Sequence, residues 1–188
     1  MTEEHARLID LPVHAFVEAV GSTEQAVPAG GSVAALTGAL SAALLALVCG
    51  VLQRRAAAAH ADWRIEAEHL QRELLVLVDE DAEAFRAFLQ AKRVKSELGP
   101  AIARTSRVPL RIAEECARVV DLSLTIEATI SGMLLGDVRA AGYLAEGALR
   151  TALDIADQNV DLHHDTRERQ ALREAISRLR ARPARSER

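Results

Sequence analysis

Aromatic residues are nearly missing. One Trp, one Tyr and three Phe make up 3% of 188 residues, although hydrophobic residues reach 49%. A core without aromatic bulk has to be filled by Ala, Leu, Val and Ile, which suits closely packed helices. Five prolines and ten glycines are too few for an all-β chain built on many tight turns. The two cysteines, Cys49 and Cys116, stand far apart in apolar helical contexts, with no CxxC pair and no His/Cys group at zinc-ligand spacing. They read as buried reduced thiols of a cytosolic protein, and no metal site is expected. Residues 1–20 mix acids, His and Pro with apolar residues, which is not the pattern of a secretory signal. The net charge of −4 argues against a general nucleic-acid binder. That charge is uneven: residues 166–188 carry eight Arg against three Glu, leaving −9 on the rest.

What is present is a long uncharged run, Gly30 to Gln53, followed by Arg54-Arg55. Its length would span a bilayer, which takes about 20 residues. Its composition is mostly Ala, Gly, Ser and Thr, which gain little from lipid, so a helix buried in a bundle is the better reading and no membrane partner is expected. Every fourth residue is small (Gly30, Ala34, Gly38, Ala42, Ala46, Gly50), forming a groove along which another helix can approach closely.

The periodicity predicts six helices. A short one covers Val13 to Val20, with Phe16, Val17 and Val20 on one face. A second runs from about Ser32 to Ala59. A third starts near Asp62, a plausible N-cap, and runs to about Lys95 with the stripe Trp63, Ala67, Leu70, Leu74, Leu77, Asp81, Phe85, Phe88. Leu98-Gly99-Pro100 ends that segment. A fourth helix, broken or offset at Pro109, runs from Leu110 to Ile130 with Ile112, Cys116, Val119, Val120, Ser123 and Leu124 inward. A fifth, capped by Asp137, reaches about Leu162 with Ala140, Ala141, Leu144, Ala148, Thr151, Ile155 and Asn159 on one side. Thr166 to Arg182 forms a last charged helix with Leu172, Ile176 and Leu179 as its apolar stripe. No segment has the alternation of a strand. The fold expected is all-α, a bundle of long antiparallel helices. Residues 1–165 form the main domain, and 166–188 an Arg-rich helix and frayed tail.

Three features depart from packing. Pro28-Ala29-Gly30-Gly31-Ser32 is a tight loop feeding a helix N-terminus, whose free N–H groups and dipole welcome an anionic or electron-rich ligand. The plain alternative is a helix start with Ser32 as its cap. Asp81 lies in register with an apolar stripe, where a carboxylate must be paired, hydrogen-bonded or set in a cleft. Such an acid is either a satisfied structural residue or a candidate for acid–base work. Asp137, in Gly136-Asp137-Val138, reads as a helix cap first and a ligand second. Asn159 on the fifth helix is a polar residue that needs partners. The histidines, including His60, His69 and the adjacent His163-His164, make no site by spacing and read as surface residues.

In this order on a helical background, these pieces resemble the formiminotransferase-cyclodeaminase family in its stand-alone form. The matching residues are Pro28-Ala29-Gly30-Gly31-Ser32-Val33-Ala34-Ala35, Asp81-Ala82-Glu83-Ala84-Phe85, Gly136-Asp137-Val138 and Asn159-Val160. The similarity covers about Leu11 to Leu162. It implies an all-α, cytosolic homodimer that acts on tetrahydrofolate one-carbon units, with no cofactor beyond the folate substrate and no metal. One implied reaction is cyclodeamination of 5-formiminotetrahydrofolate to 5,10-methenyltetrahydrofolate and ammonia. The other is the cyclohydrolase interconversion of 5,10-methenyl- and 10-formyltetrahydrofolate. The resemblance assigns proton transfer to Asp81, and folate binding to Gly30, Gly31, Ser32, Asp137 and Asn159. Arg54, Arg55 or Lys92 are candidates for the glutamate carboxylates, against a reading as solvated surface. The chain departs from the family pattern at Ala29, where a third glycine is usual, and at Ser131-Gly132 and Gly136-Asp137, where Gly-Asn and Ser-Asp pairs are usual. The Pro-Lys that often follows the acidic helix is not evident after Ala91-Lys92. The alternative reading is a family-fold protein without activity, serving as a folate-binding or helical interaction module.

Overall fold

The computed structural model of the chain describes residues 7–55 and 61–184. A 3₁₀ turn at Leu8–Asp10 leads into six helices: α1 (Val13–Gly21), α2 (Gly30–Arg55), α3 (Ala61–Val94), α4 (Leu98–Glu127), α5 (Leu134–Val160) and α6 (Thr166–Arg180). There is no strand among the described residues.

Side-chain meetings fix the directions. Along α2 and α3, Gly31 faces Asp81, Gly38 faces Leu74 and Gly50 faces Arg64, so the two helices run antiparallel. Glu83–Arg104 and Glu80–Arg111 set α4 antiparallel to α3. Asn159–Thr105 and Arg139–Glu127 do the same for α5 and α4. Asp157–Arg180 and Asp161–Arg173 place α6 back along α5. The exposed ion pairs among these set register more than they add stability, since surface ion pairs contribute about 0–1 kcal/mol each.

α2 is the central helix. It is long and apolar enough to cross a membrane, yet it packs against α3, α4 and α5. Ala34, Ala35, Ala39, Ala42, Leu45 and Val48 are buried along it. The small-residue groove has its effect at Gly38, where a Cβ would come 2.6 Å from Cys116 Sγ and 3.2 Å from Leu74. Both thiols are free and buried. Burial pushes Cys116 up to about 12 and Cys49 up to about 11, so neither supplies a thiolate.

Several boundaries differ from the sequence expectations. α2 starts at Gly30, so Ser32 is its third residue and not its cap. The predicted end of this helix, residues 56–59, lies outside the described residues, as does His60. α3 starts at Ala61, with Asp62 in its first turn. Leu98-Gly99-Pro100 opens α4 instead of closing α3, because a first-turn proline forfeits no intrahelical bond. The turn itself is made by Lys95 and Glu97, with φ of 54° and 55°. α4 then runs through Pro109 unbroken. Proline removes a single donor, and the carbonyl it leaves unpaired, that of Thr105, is met from α5.

The inward face of α5 is also rotated from the one expected. Val138, Ala141, Ala145, Ala148, Ala152 and Ala156 are buried, whereas Ala140, Leu144 and Thr151 are exposed. α6 is capped by Asp165, which accepts from Arg167 N and Glu168 N, and it buries Leu172 and Ile176. In α1 only Phe16 is buried. Val13 and Val17 are 82% and 62% exposed, and with Leu11, Val20, Val33 and Leu40 they edge an apolar groove of about 400 Å³.

The close approach at Gly38 makes a testable contrast. Gly38→Ala is expected to cost about 1–3 kcal/mol by overpacking. Gly147→Ala on exposed α5, where a Cβ meets nothing within 4 Å, is expected to add about 0.5–1 kcal/mol through helix propensity. Urea-unfolding midpoints of the two variants check this.

Candidate active site

Four chain segments meet at one end of the bundle: the start of α2, the C-terminal half of α3, the N-terminal half of α4 and the end of α5. Between them lies a cavity of about 260 Å³, walled by Val27, Gly31, Asp81, Phe85, Thr105 and Asn159 among others. The Val27–Pro28 peptide that leads into it is cis. Ala29 lies on the cavity wall and its carbonyl accepts the Val33 N–H at 3.0 Å, the first turn of α2.

Asp81 stands at the centre of this arrangement. The apolar stripe of α3 carries it to the α2 interface, where the fully buried Ser32 donates its hydroxyl to Oδ2 at 3.0 Å. Burial pushes the Asp81 carboxyl above the usual carboxylate range, opposed by hydrogen bonds from the Ser32 side chain and backbone. Among the described residues, the cavity wall carries no other ionisable group, so the acid has no cationic partner there. The Ser32 backbone N–H and the positive end of the α2 dipole are the compensation the backbone offers. A cavity lined this way suits a ligand that brings a positive charge, or a proton to be moved.

Gly31 makes this contact possible. A Cβ there would sit 2.1 Å from Asp81 Oδ1 and 2.5 Å from its Cγ, so any side chain would expel the carboxyl from its place. Gly30 is less constrained, its Cβ position being 3.1 Å from Ile155 Cδ1. Across the cavity, Asn159 donates Nδ2 to the Thr105 carbonyl at 2.7 Å. Just beyond it, His163 Nε2 lies 2.9 Å from Ser106 Oγ.

The structure therefore brings together five of the six residues singled out from sequence: Gly30, Gly31, Ser32, Asp81 and Asn159. Ser32 supports the wall from behind, as the partner of Asp81. Asp137 is not with them. It sits in the first turn of α5, whose N-cap is Met133, and it caps nothing. Twenty-two residues of α5 separate it from Asn159, about 33 Å at 1.5 Å per residue. Arg54 and Lys92 are exposed and absent from the cavity wall; the Arg55 side chain lies outside the described residues.

Three further readings need correction. Phe85 is 36% exposed and forms cavity wall, because α3 outruns the core at this end. Asp79, whose place next to Glu80 in the acidic stretch of α3 reads as solvent-facing, instead accepts the Leu8 N–H on Oδ1 at 2.6 Å and anchors the 3₁₀ turn at Leu8–Asp10. His163 is 3% exposed, not a surface histidine, because the turn after α5 folds it against Ser106 under α6. Thr105 and Gln158 were not foreseen as wall residues. For Thr105 the signal was Pro109, four positions later in a helix.

The family model described as Formiminotransferase-cyclodeaminase matches residues 12–178. Over 156 residues, 74% of each chain, the sequence is 27% identical to a methenyltetrahydrofolate cyclohydrolase of Methylorubrum extorquens. Over 126 residues it is 32% identical to the formimidoyltransferase-cyclodeaminase of Sus scrofa. That match takes 58% of this chain and spans only 23% of the pig protein. The crystal structure of a formiminotetrahydrofolate cyclodeaminase from Thermotoga maritima superposes with a TM-score of 0.81, at 21% identity, covering 92% of this chain and 89% of the other. That likeness establishes a shared fold.

The buried acid predicts a specific pH dependence. A carboxyl whose folded-state pKa is raised binds its proton more tightly in the native state, so its contribution to stability falls as pH rises above about 3.9. Asp81→Asn removes that penalty while keeping the shape. The variant is expected to melt above wild type at pH 7, with the difference closing as pH falls toward about 4. Thermal melts across that range would check it; equal melting at pH 7 would contradict it.

Proposed function

We propose that this chain, which belongs to the formiminotransferase-cyclodeaminase family, is an enzyme that moves protons at the one-carbon unit bridging N5 and N10 of tetrahydrofolate. The observation that carries the reading is Asp81: a desolvated carboxyl in a cavity whose described wall holds no cation. The methenyl bridge is an amidinium cation, and an opposite charge close by stabilises it as water cannot. Substrate and site complete each other electrostatically.

Both reactions of the family's chemistry place the same demand on Asp81. In hydrolysis, water forms a C–O bond to the bridge carbon and gives a proton to the carboxylate. The C–N5 bond then breaks, N5 takes that proton, and the hydroxyl loses its own as the 10-formyl group forms. In cyclodeamination, N10 attacks the carbon of the protonated formimino group, the C=N electrons pass to its nitrogen, and the N10 proton passes to Asp81. The carboxyl returns it to the amine, the C–N bond breaks and ammonia leaves. Each route needs an acid poised to accept and return one proton, which is the use of a raised pKa. Ser32 holds the carboxyl in place for both steps.

The cavity is just below the range of about 300–1,000 Å³ usual for ligand pockets. This supports seating of the pterin end and the bridge between Gly30–Gly31 and Asn159, with the glutamate tail outside. No cofactor beyond the folate enters either reaction. Assembly as a cytoplasmic homodimer belongs to the same reading, supported by exposed Val13, Val17 and Leu40 around the groove of α1 and α2. Sedimentation as a monomer at micromolar concentration would remove that part.

The test is the absorbance of 5,10-methenyltetrahydrofolate with purified protein. It would be followed as loss in a cyclohydrolase assay and as gain from 5-formiminotetrahydrofolate. One of the two rates is expected to exceed the spontaneous rate, and Asp81→Asn is expected to lower it by about 10²–10⁴ with folate binding retained. A wild-type protein that leaves both at their spontaneous rates contradicts the proposal.

A further inference from the structure

Asn159 and Pro109 are linked by a chain of necessity that the sequence does not display. In α4 the carbonyl of Thr105 would accept the N–H of residue 109, four positions on. Residue 109 is proline and has no N–H. Thr105 and Pro109 are both buried, so leaving that carbonyl unpaired would be costly. Asn159 Nδ2, at 2.7 Å, takes that place. The direction of the bond fixes more than satisfaction: a carbonyl can only accept, so the amide must turn its nitrogen to Thr105. Its oxygen Oδ1 is then the acceptor left for the cavity whose wall Asn159 and Thr105 share.

We propose that Pro109 is a positioning residue. By freeing the Thr105 carbonyl it locks the Asn159 amide in one orientation, so that Oδ1 stands ready to accept from an N–H group of the ligand. A reduced pterin carries such groups on its amino and lactam edge. This last step rests on the folate reading above; the locking of the amide does not. A neighbouring contact keeps the backbone in place when Asn159 is altered. His163, four residues after Asn159, places Nε2 2.9 Å from Oγ of Ser106, the residue after Thr105, and holds the turn after α5 against α4.

A double-mutant cycle on the full chain tests both halves. In the wild-type background, Asn159→Ala leaves a buried carbonyl unpaired and is expected to lower Tm by about 3–8 °C. In the Pro109→Ala background a backbone N–H is restored, and the same change is expected to cost less than about 2 °C. Pro109→Ala by itself is expected to raise Tm, because it returns a helical bond. It should nevertheless raise KM for the folate substrate about tenfold, with kcat changed by less than about threefold, and weaken binding of 5-formyltetrahydrofolate in calorimetry to the same degree. Equal Tm losses from Asn159→Ala in both backgrounds would overturn the lock. Coupled Tm losses with unchanged KM and unchanged folate affinity would overturn its positioning role. The melting arm requires no substrate, so a failure of the folate reading, seen as absent turnover in wild type, is distinguishable from a failure of the lock.

Discussion

An acid can occupy the apolar seam of α3 only because α2 comes close enough for Ser32 to reach it. That closeness is set by the glycines of α2. Gly31 leaves the space that the Asp81 carboxyl fills, and Gly38 lets the helix lie against Cys116 and Leu74 two turns further on. The hydrogen bond from Ser32 offsets part of the cost of burial without neutralising it. What remains is a carboxyl held at a fixed point, short of water and short of a counter-charge. The bundle is thus built so that one polar group is stabilised less than it could be, a deficit that the cationic substrate of the proposed function would relieve.

The same economy governs the opposite wall. A proline inside α4 removes one backbone bond, and α5 supplies the replacement through Asn159. Loss of a local interaction becomes a tertiary one, tying the end of α5 to the middle of α4. Asp81 and Asn159 therefore belong to two rigid supports, one made by helix proximity and one by a missing donor. Neither depends on a loop for its orientation, which favours precise placement over adaptability.

Much of this was legible in the residues. The low aromatic content and the small-residue period of α2 pointed to tightly packed helices. The break of character at Asp81 in an apolar stripe marked a residue that the structure places on the wall of the candidate cavity. What failed did so for identifiable reasons. Pro109 reads locally as a helix breaker, and only the tertiary contact with Asn159 explains why α4 continues. Asp137 shares a helix with Asn159, but helical spacing gives a face and not a distance to the cavity, which turned out to lie at the other end. Ser32 has the look of a cap, and nothing in one dimension says that its hydroxyl is claimed by a residue forty-nine positions later. His163 reads as surface because its burial depends on the return of α6 over the end of α5. Similarity shows the family and the fold; the proposed chemistry rests on the state of one carboxyl.

That state can be measured directly. The Asp81 carboxyl, carbon-13 labelled and titrated by NMR, reports its own protonation with and without bound 5,10-methenyltetrahydrofolate. The account predicts a midpoint above the usual aspartate value of about 3.9 in the free protein, falling when the cationic ligand binds beside it. An Asp81 that titrates at the ordinary value and is indifferent to the ligand would contradict it.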